Sequence, residues 1–155
     1  MMWNLKSELS KIRIERMTRE HIEKCTDLFI DVFTKEPWND TYDSRTQVIN
    51  FFNNYLNNNY FVGFILKEKG QIIAMSLGMK KPWINGMEYY IDQFCVQSNL
   101  QNQGIGSHFL KMIESMIQSE GMNAIMLNTE KGFPSERFYL KNGFRVLEEL
   151  VLLVK

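Results

Sequence analysis

Cysteine and histidine are scarce in this sequence, and their spacing excludes two common kinds of small domain. The chain holds two cysteines, Cys25 and Cys95, and two histidines, His21 and His108, with no Cys-x-x-Cys pair. This pattern excludes a disulfide scaffold and a zinc framework, so we expect no metal site. Free cysteines are typical of reducing compartments, so we expect a cytoplasmic protein.

An excess of one charge and long apolar runs are also missing. The 18 basic residues balance the 18 acidic ones, so the net charge is zero. That balance gives no electrostatic reason to expect a nucleic-acid or membrane partner. No apolar run approaches the roughly 20 residues of a membrane span. The opening MMWNLKSELS lacks the apolar core of a signal peptide.

The remaining composition is typical of an ordinary folded domain. The 155 residues are 45% apolar, which is enough to bury a proper core. No linker, repeat or shift of composition divides the chain. We therefore expect a single domain over residues 1–155, with its core beginning at about residue 11.

Hydrophobic periodicity predicts the order of the secondary-structure elements. Alternation marks a strand at KIRIERM, and helical spacing marks two helices, one opening at Thr18 and one capped by Asp43 or Ser44. Three strands follow at YFVGFILKE, QIIAMSLGMK and MEYYIDQFCVQ. The rest reads as a helix over about 104–120, the strand NAIMLNT, the helix PSERFYLKN and the strand RVLEELVLLVK.

The resulting order, β-α-α-β-β-β-α-β-α-β, predicts an α/β (α+β) fold. Three strands joined by short turns form an antiparallel meander. A strand, a crossover helix and another strand add a parallel pair. We expect a mixed, mostly antiparallel central sheet with helices on its faces.

Two glycines stand where the third meander strand gives way to a helix. In QNQGIGSHFL, Gly104 and Gly106 precede the helix, but the dinucleotide fingerprint needs a glycine where Phe109 stands. A P-loop needs a lysine after the glycine, and none follows Gly106. Unpaired N–H groups at a helix N-terminus still favour an anion. The residues alone leave an anion site and a structural turn equally open.

The longer stretch VQSNLQNQGIGSHFL resembles the acetyl-CoA signature of the GNAT family of N-acetyltransferases. That signature runs Val-x-Pro-x-x-Arg/Gln-x-x-Gly-x-Gly/Ala, and Val96, Gln101, Gly104 and Gly106 fall in register. The later family motif, a helical tyrosine followed by Gly-Phe, is matched by FYLKNGF, which contains Tyr139. The predicted order of elements also matches the family fold from about residue 11 to 155.

The sequence departs from the family pattern at three positions. Ser98 stands where proline is usual, and Asn102 where glycine is frequent. Both are common variations for a site built from backbone. Gly132 replaces an asparagine that often contacts the cofactor, so no cofactor role is assigned to that position.

The resemblance implies acetyl-CoA as the co-substrate, with no metal, and it implies where acetyl-CoA binds. Backbone N–H groups of the glycine loop would bind the pyrophosphate, and the preceding strand would pair with the pantetheine arm. By position, the cofactor-binding residues are Phe94, Cys95, Val96, Gln101, Asn102, Gln103, Gly104, Ile105, Gly106 and Ser107.

Two residues are candidates for proton transfer. Tyr139 matches the tyrosine that protonates the departing thiolate in many family members; its alternative role is an inner-face aromatic. Asp92 lies inside the apolar segment YYIDQFCV, where a carboxylate is costly unless it is paired or functional. It also resembles the base of some aminoglycoside 6′-N-acetyltransferases. Glu88 is its nearest rival and a candidate substrate contact, and a hydrogen bond to a neighbouring loop is the alternative role for Asp92.

The loop TKEPWNDTYD would lie over the acceptor site in this fold. Trp38 and Tyr42, with the acidic residues Glu36, Asp40 and Asp43, are candidates to line a pocket for a cationic, sugar-like or peptide amine. A plug of aromatic side chains packed on the core is an equal alternative for this loop.

The sequence therefore predicts an acyltransferase that moves an acetyl group from acetyl-CoA to a primary amine, such as an aminoglycoside, a polyamine or another small cationic amine. Direct transfer in a ternary complex is favoured because no cysteine has an evident base partner. Two alternatives stay open: acetylation of a protein N-terminus or lysine, and a non-catalytic acyl-CoA sensor or scaffold. The resemblance also implies a homodimer.

Overall fold

The computed structural model describes residues 11–155. Its elements are β1 (Ile12–Arg16), α1 (Ile22–Phe33), α2 (Arg45–Leu56), β2 (Phe61–Glu68), β3 (Gln71–Trp83), β4 (Gly86–Val96), α3 (Ile105–Ser119), β5 (Ala124–Leu127) and α4 (Pro134–Lys141). Short 3-10 turns precede α1 and follow β4. The expectation of one domain over residues 1–155 stays a prediction, and residues 1–10 lie outside the described part of the chain.

The five strands form one sheet in the order β1-β2-β3-β4-β5. Neighbours from β1 to β4 are antiparallel, and β4 and β5 are parallel. The turn between β2 and β3 places Lys69 and Gly70 in the left-handed region, at φ 50° and 77°, which suits a tight hairpin. The predicted mixed, mostly antiparallel sheet is confirmed.

Helices cover both faces of the sheet. Alternate residues of a strand point to opposite faces, so each inner strand contributes side chains to two cores. Phe64 and Leu66 of β2 belong to the core beneath α3 and α4, whereas Ile65 belongs to the core beneath α1 and α2. All three side chains are fully buried. This two-sided burial explains why the inner strands read as apolar runs rather than as clean alternations.

The first two helices begin differently. Ser44 caps α2, since its hydroxyl accepts a hydrogen bond from the Gln47 N–H at 3.1 Å. Thr18 precedes a 3-10 turn at Arg19–His21, and α1 continues from Ile22.

No helix among residues 11–155 combines the length and the apolar character needed to cross a bilayer.

A β-bulge interrupts the pairing of β3 and β4. Leu77 pairs with Gln93 and Gly78 pairs with Ile91, so Asp92 is an extra residue on β4. A Cβ atom at Gly78 would lie 1.9 Å from the Tyr90 carbonyl oxygen, so only glycine fits opposite the bulge. The bulge bends β4 at the position of Asp92.

Beyond this bulge, β4 and β5 part. Their parallel pairing covers Glu88–Ile91 and Ala124–Leu127, whereas β4 continues along β3 as far as Val96. Within the described residues, the 92–96 segment therefore has a strand neighbour on one side only. The gap left on the other side opens at the carboxyl end of two parallel strands, which is a frequent location for ligands in such sheets.

The predicted last strand, RVLEELVLLVK, does not form. Residues 145–155 contain no strand, and the side chains of Val151, Leu152, Leu153 and Val154 are 79–100% exposed. A run of apolar and β-branched residues fits a pleated, half-buried surface, but it becomes a strand only when a neighbouring strand pairs with it. The segment has the composition of a strand without a partner in this chain.

The bulge makes Gly78 the most sensitive glycine of the sheet. Gly78→Ala should lower the free energy of unfolding by about 3 kcal/mol, because the added methyl group meets rigid backbone. Gly63→Ala is the matched control, with an expected loss of about 1 kcal/mol, because its methyl group would meet the movable ring of Phe61. Urea unfolding measures both values, and equal losses would contradict the role given to the bulge.

Candidate functional site

A cavity of about 590 Å³ lies where β4 and β5 part. Its walls come from α1, α2, the loop between them, the end of β4, the segment after β5, α4 and the C-terminal segment. The lining residues are Phe29, Phe33, Trp38, Asp40, Tyr42, Gln47, Val48, Phe51, Asp92, Gln93, Phe94, Asn128, Thr129, Glu130, Ser135, Tyr139 and Leu152. Both aromatic rings and polar groups line the cavity.

The two aromatic residues of the α1–α2 loop both line the cavity and pack on the core. The Trp38 ring centroid lies 5.5 Å from that of Phe33 and 5.2 Å from that of Phe133. Tyr42 packs 5.7 Å from Phe29. The Tyr42 hydroxyl donates to the Asp40 carboxylate at 3.2 Å. The pocket wall and the aromatic plug expected as alternatives are therefore the same structure.

The cavity is lined by acidic and neutral side chains. Asp40, Asp92 and Glu130 contribute carboxylates, and no lysine or arginine of residues 11–155 is among the lining groups. Glu36 and Asp43, which the sequence also suggested for this pocket, lie outside the lining. Three carboxylates around one cavity favour a cationic ligand, and low-dielectric walls strengthen that preference.

Asp92 occupies the bulge and reaches the cavity. Its side chain is half-buried, and burial raises the pKa of Asp92, while a hydrogen bond with the Tyr55 hydroxyl lowers it again. The hydrogen-bond partner thus comes from α2 and not from a loop. A carboxylate with a raised pKa is a stronger base than an ordinary aspartate, which suits it to accept a proton.

Glu88 lies outside the cavity. It stands where β4 still pairs with β5, opposite Ala124, and its side chain is buried. The Lys81 ammonium lies 3.8 Å from its carboxylate. The closed part of the sheet therefore separates Glu88 from Asp92, although the two residues are four positions apart in the sequence.

Tyr139 is the buried residue of α4 and contributes to the cavity wall. Its ring lies 6.2 Å from that of Phe94 and 5.3 Å from that of Phe144. Gly143 adopts φ 90° after the helix, which turns the chain so that Phe144 packs on Tyr139. Burial, followed by the nearby Cys95, raises the pKa of Tyr139, so its hydroxyl keeps its proton at neutral pH.

The glycine loop forms a tight turn into α3. Asn102 and Gly104 are both left-handed, with φ 61° and 82°. The His108 N–H donates to the Gly104 carbonyl at 3.1 Å, which is the first hydrogen bond of α3. The N–H groups of residues 105–107 therefore have no partner within the helix. A Cβ atom at Gly106 would lie 3.1 Å from the Phe138 ring, so the small residue lets α4 approach α3 closely.

Side chains of the signature tie the loop to the strand. The Gln101 side-chain amide donates to the Val96 carbonyl at 3.0 Å. The Ser98 hydroxyl donates to Asp31 of α1 at 3.1 Å. Gln101 therefore holds the loop against β4. The groups available at the start of α3 are main-chain N–H groups, which suit an anion such as a phosphate.

Cys95 is buried on the α1–α2 side of β4. Burial raises the pKa of the Cys95 thiol, with Cys25 adding to the effect. Burial also raises the pKa of Cys25, to about 12. Neither thiol is ionised at neutral pH, so neither is an activated nucleophile. The main chain of Phe94, Cys95 and Val96 borders the gap between β4 and β5.

Several cavity residues were not predicted from the sequence. Phe29 and Phe51 had only the helical periodicity of core residues. Glu130 was detectable, because it follows a strand that the sequence predicts to be parallel to its neighbour, and ligands collect beyond such strand ends. In the part of the chain that is described, no group of three or more His, Cys, Asp or Glu residues is placed to hold a metal ion.

A model of the Acetyltransferase (GNAT) family matches residues 21–144. This segment includes both motifs, the cavity-lining loop and the whole of β2 to α4. The family match confirms the predicted class of enzyme, an acyltransferase of the N-acetyltransferase type.

Solved structures share the fold at low sequence identity. A transcriptional regulator from Bacillus halodurans C-125 is 18% identical, with a TM-score of 0.73, over 93% of this chain and 99% of that one. Aminoglycoside acetyltransferase meta-AAC0020, from an uncultured soil metagenomic sample, is 20% identical when bound to trehalose, with a TM-score of 0.71, over 94% and 96%.

The third structure is the aminoglycoside N-acetyltransferase AAC(6′)-Iy, bound to the bisubstrate analogue CoA-S-monomethyl-acetylneamine. It is 15% identical, with a TM-score of 0.71, over 93% of this chain and 97% of that one. At these identities the three likenesses show the fold alone, and it is the family model that carries the assignment. This chain belongs to the GNAT family of acetyltransferases.

Proposed function

We propose that this enzyme transfers the acetyl group of acetyl-CoA to a primary amine of a small, multiply charged cation, such as an aminoglycoside or a polyamine. The observation that carries the proposal is the cavity beside the gap between β4 and β5. It combines aromatic walls with the carboxylates of Asp40, Asp92 and Glu130 and has no basic lining group among the described residues. Such a cavity favours an ammonium group over a neutral or anionic acceptor.

The surroundings of the cavity fit acetyl-CoA as the acetyl donor. The main chain of residues 94–96 has a free side, which suits an amide-containing arm that pairs like an extra strand. The start of α3 presents N–H groups for a pyrophosphate, from the loop formed by Gln101, Asn102, Gln103, Gly104, Ile105, Gly106 and Ser107. Crystal structures of AAC(6′)-Iy contain CoA or a CoA analogue, which supports this donor.

In the proposed reaction, Asp92 accepts a proton from the ammonium group of the acceptor, directly or through a water molecule. The amine nitrogen attacks the thioester carbonyl carbon, and the main chain near Val96 stabilises the oxyanion. The carbon–sulfur bond breaks, and Tyr139 gives its proton to the thiolate. The nitrogen of the tetrahedral intermediate loses its second proton to water. The products are an acetamide, free coenzyme A and this released proton, with Asp92 protonated and Tyr139 ionised until solvent restores both.

The structure also bears on the alternatives. The loop that carries Trp38 and Tyr42 closes one side of the cavity, which favours a compact acceptor over the extended chain of a peptide or protein. Asp92 and the protonated Tyr139 line the same cavity, which favours catalysis over acyl-CoA sensing. We also propose a cytoplasmic location, which the two free cysteines support, and a homodimer.

Release of free thiol from acetyl-CoA tests the function. Aminoglycosides and polyamines should give higher kcat/KM values than amino acids or N-terminal peptides. Glu130→Gln should raise the KM of a diamine roughly 10-fold through the loss of one ion pair, with a smaller effect on a monoamine. Preferred turnover of peptides would support the protein-acetylating alternative. Thermal stabilisation by acetyl-CoA without thiol release from any amine would support the sensor.

Asp92→Asn tests the proposed base. Burial raises the pKa of Asp92. The wild-type rate should therefore rise with pH, and the midpoint of this rise should lie above the pKa of an ordinary aspartate. In the variant this rise should disappear, leaving the dependence set by the amine, and kcat/KM at neutral pH should fall roughly 100-fold. Asp40→Asn, in the same cavity, is the control that should keep the rise. A wild-type profile for Asp92→Asn would rule out the base.

Tyr139→Phe tests the proposed acid. The variant should lower kcat roughly 100-fold while leaving the affinity for acetyl-CoA nearly unchanged, because the ring and its packing are kept. Calorimetric binding of acetyl-CoA and steady-state kinetics separate these quantities. Tyr42→Phe removes another hydroxyl of the cavity, one bound to Asp40, and should keep most of the turnover. An unchanged kcat for Tyr139→Phe would contradict the proposed role of Tyr139 as the acid that protonates the thiolate.

A further inference from the structure

Asn128 lies where the cavity meets the end of β5. It directly follows Leu127, the last residue of β5, and it lines the cavity together with Asp92. Met126 pairs with Tyr90 of β4, and Asn128, two residues further on, lies on the same face of the sheet as this pair. Asp92 and Asn128 thus come from the two strands that part, one on each side of the gap.

The side-chain amide of Asn128 has a fixed orientation. Its Nδ2 atom donates a hydrogen bond to the Tyr90 hydroxyl at 2.7 Å. Because the nitrogen and the oxygen of a planar amide point in different directions, this bond turns the Oδ1 atom away from Tyr90. Among residues 11–155, no donor is bonded to that oxygen. Asn128 therefore brings to the cavity an amide oxygen that is free to accept a hydrogen bond.

The Tyr90 ring is held by two charged side chains that lie outside the cavity lining. The Lys81 ammonium lies over the face of the ring, 5.4 Å from its centroid, and 3.8 Å from the Glu88 carboxylate. Lys81 and Glu88 pair across β3 and β4, and Glu88 is buried. A cation on the face of an aromatic ring restrains that ring. The three residues therefore fix the hydroxyl to which Asn128 is bonded.

We propose that Asn128 binds the reacting amine of the acceptor through Oδ1, and that Tyr90 is a positioning residue that holds the amide in this orientation. The role rests on the proposed acetyl transfer. An ammonium group carries three N–H protons, of which Asp92 accepts one and water accepts another during the reaction. The third proton stays in the acetamide product, and its N–H group donates to the oxygen of Asn128 throughout. This hydrogen bond is charge-assisted in the ammonium and in the tetrahedral intermediate, so its loss affects both amine binding and turnover.

Thiol release from acetyl-CoA, with spermidine and kanamycin as amines, measures the contribution of Asn128. Asn128→Leu keeps a similar side-chain volume without an acceptor oxygen. It should lower kcat/KM for the amine roughly 30-fold and leave the KM of acetyl-CoA unchanged. Asn128→Asp should restore most of this loss, because the Tyr90 hydroxyl can donate to one carboxylate oxygen while the other accepts from the amine. Asn128 is exposed, so both variants should fold.

Tyr90→Phe tests whether Tyr90 acts through Asn128. The change removes the hydroxyl but keeps the ring beneath Lys81, and it should lower kcat/KM for the amine roughly 5-fold. In the Asn128→Leu background it should have no further effect, whereas a purely structural loss would appear in both backgrounds. Tyr60→Phe is the matched control, because Lys80 lies over the Tyr60 ring in the same way, but Tyr60 is 47% exposed and outside the cavity lining. It should leave kcat/KM unchanged.

The side-chain amide of Asn128 also gives a test that needs no acceptor. In nitrogen–proton NMR spectra of the wild-type protein, its bonded Nδ2 hydrogen should exchange with water more slowly than the side-chain hydrogens of Asn59, which is exposed. Tyr90→Phe should remove this protection, and Tyr60→Phe should keep it.

Three results would each overturn the role of this pair: a wild-type kcat/KM in Asn128→Leu, an equal loss from Tyr90→Phe in both backgrounds, or an Asn128 amide that Tyr90→Phe leaves unchanged. Any of them, together with normal turnover by the wild type, would contradict this role alone. Absence of thiol release by the wild type with every amine would contradict the proposed function, and this role with it.

Discussion

The bulge opposite Gly78 is the constraint on which the rest of the site depends. A glycine without a Cβ atom lets the Tyr90 carbonyl approach β3, and the extra residue on β4 is Asp92. One local irregularity thus bends β4, ends its pairing with β5 and places a carboxylate where the two strands part. The gap and the side chain beside it have a single structural cause.

Burial then gives the groups in the gap different properties. It raises the pKa values of Asp92 and Tyr139 alike, but the consequences differ. Asp92 becomes a better proton acceptor, whereas Tyr139 is held in its protonated form. The same burial widens the difference between the pKa of Tyr139 and the pKa of a thiol, which is about 8.5. In the proposed reaction, proton transfer from Tyr139 would therefore be most favourable when it is concerted with departure of the thiolate, whose forming charge draws the proton.

Much of this arrangement could be predicted from the sequence, and the limits have physical reasons. Periodicity placed nine of the ten predicted elements, because their faces are buried within the chain. The last strand failed because no neighbouring strand pairs with it among residues 11–155, and a propensity cannot supply one. Glu88 and Asp92 looked alike in an apolar strand, and only the bulge, which depends on pairing with β3, separates them. Phe29 and Phe51 line the cavity from positions that also fit an ordinary helix core.

The position of Leu152 connects the C-terminal segment with the acceptor site. A side chain at the rim of the cavity belongs to a segment that is otherwise exposed to solvent. The other walls come from α1, α2, the loop between them, β4, the segment after β5 and α4, whereas this part of the rim belongs to no helix or strand. A change in residues 150–154 should therefore act on acceptor binding and leave the glycine loop, which is tied to β4 by Gln101, unchanged.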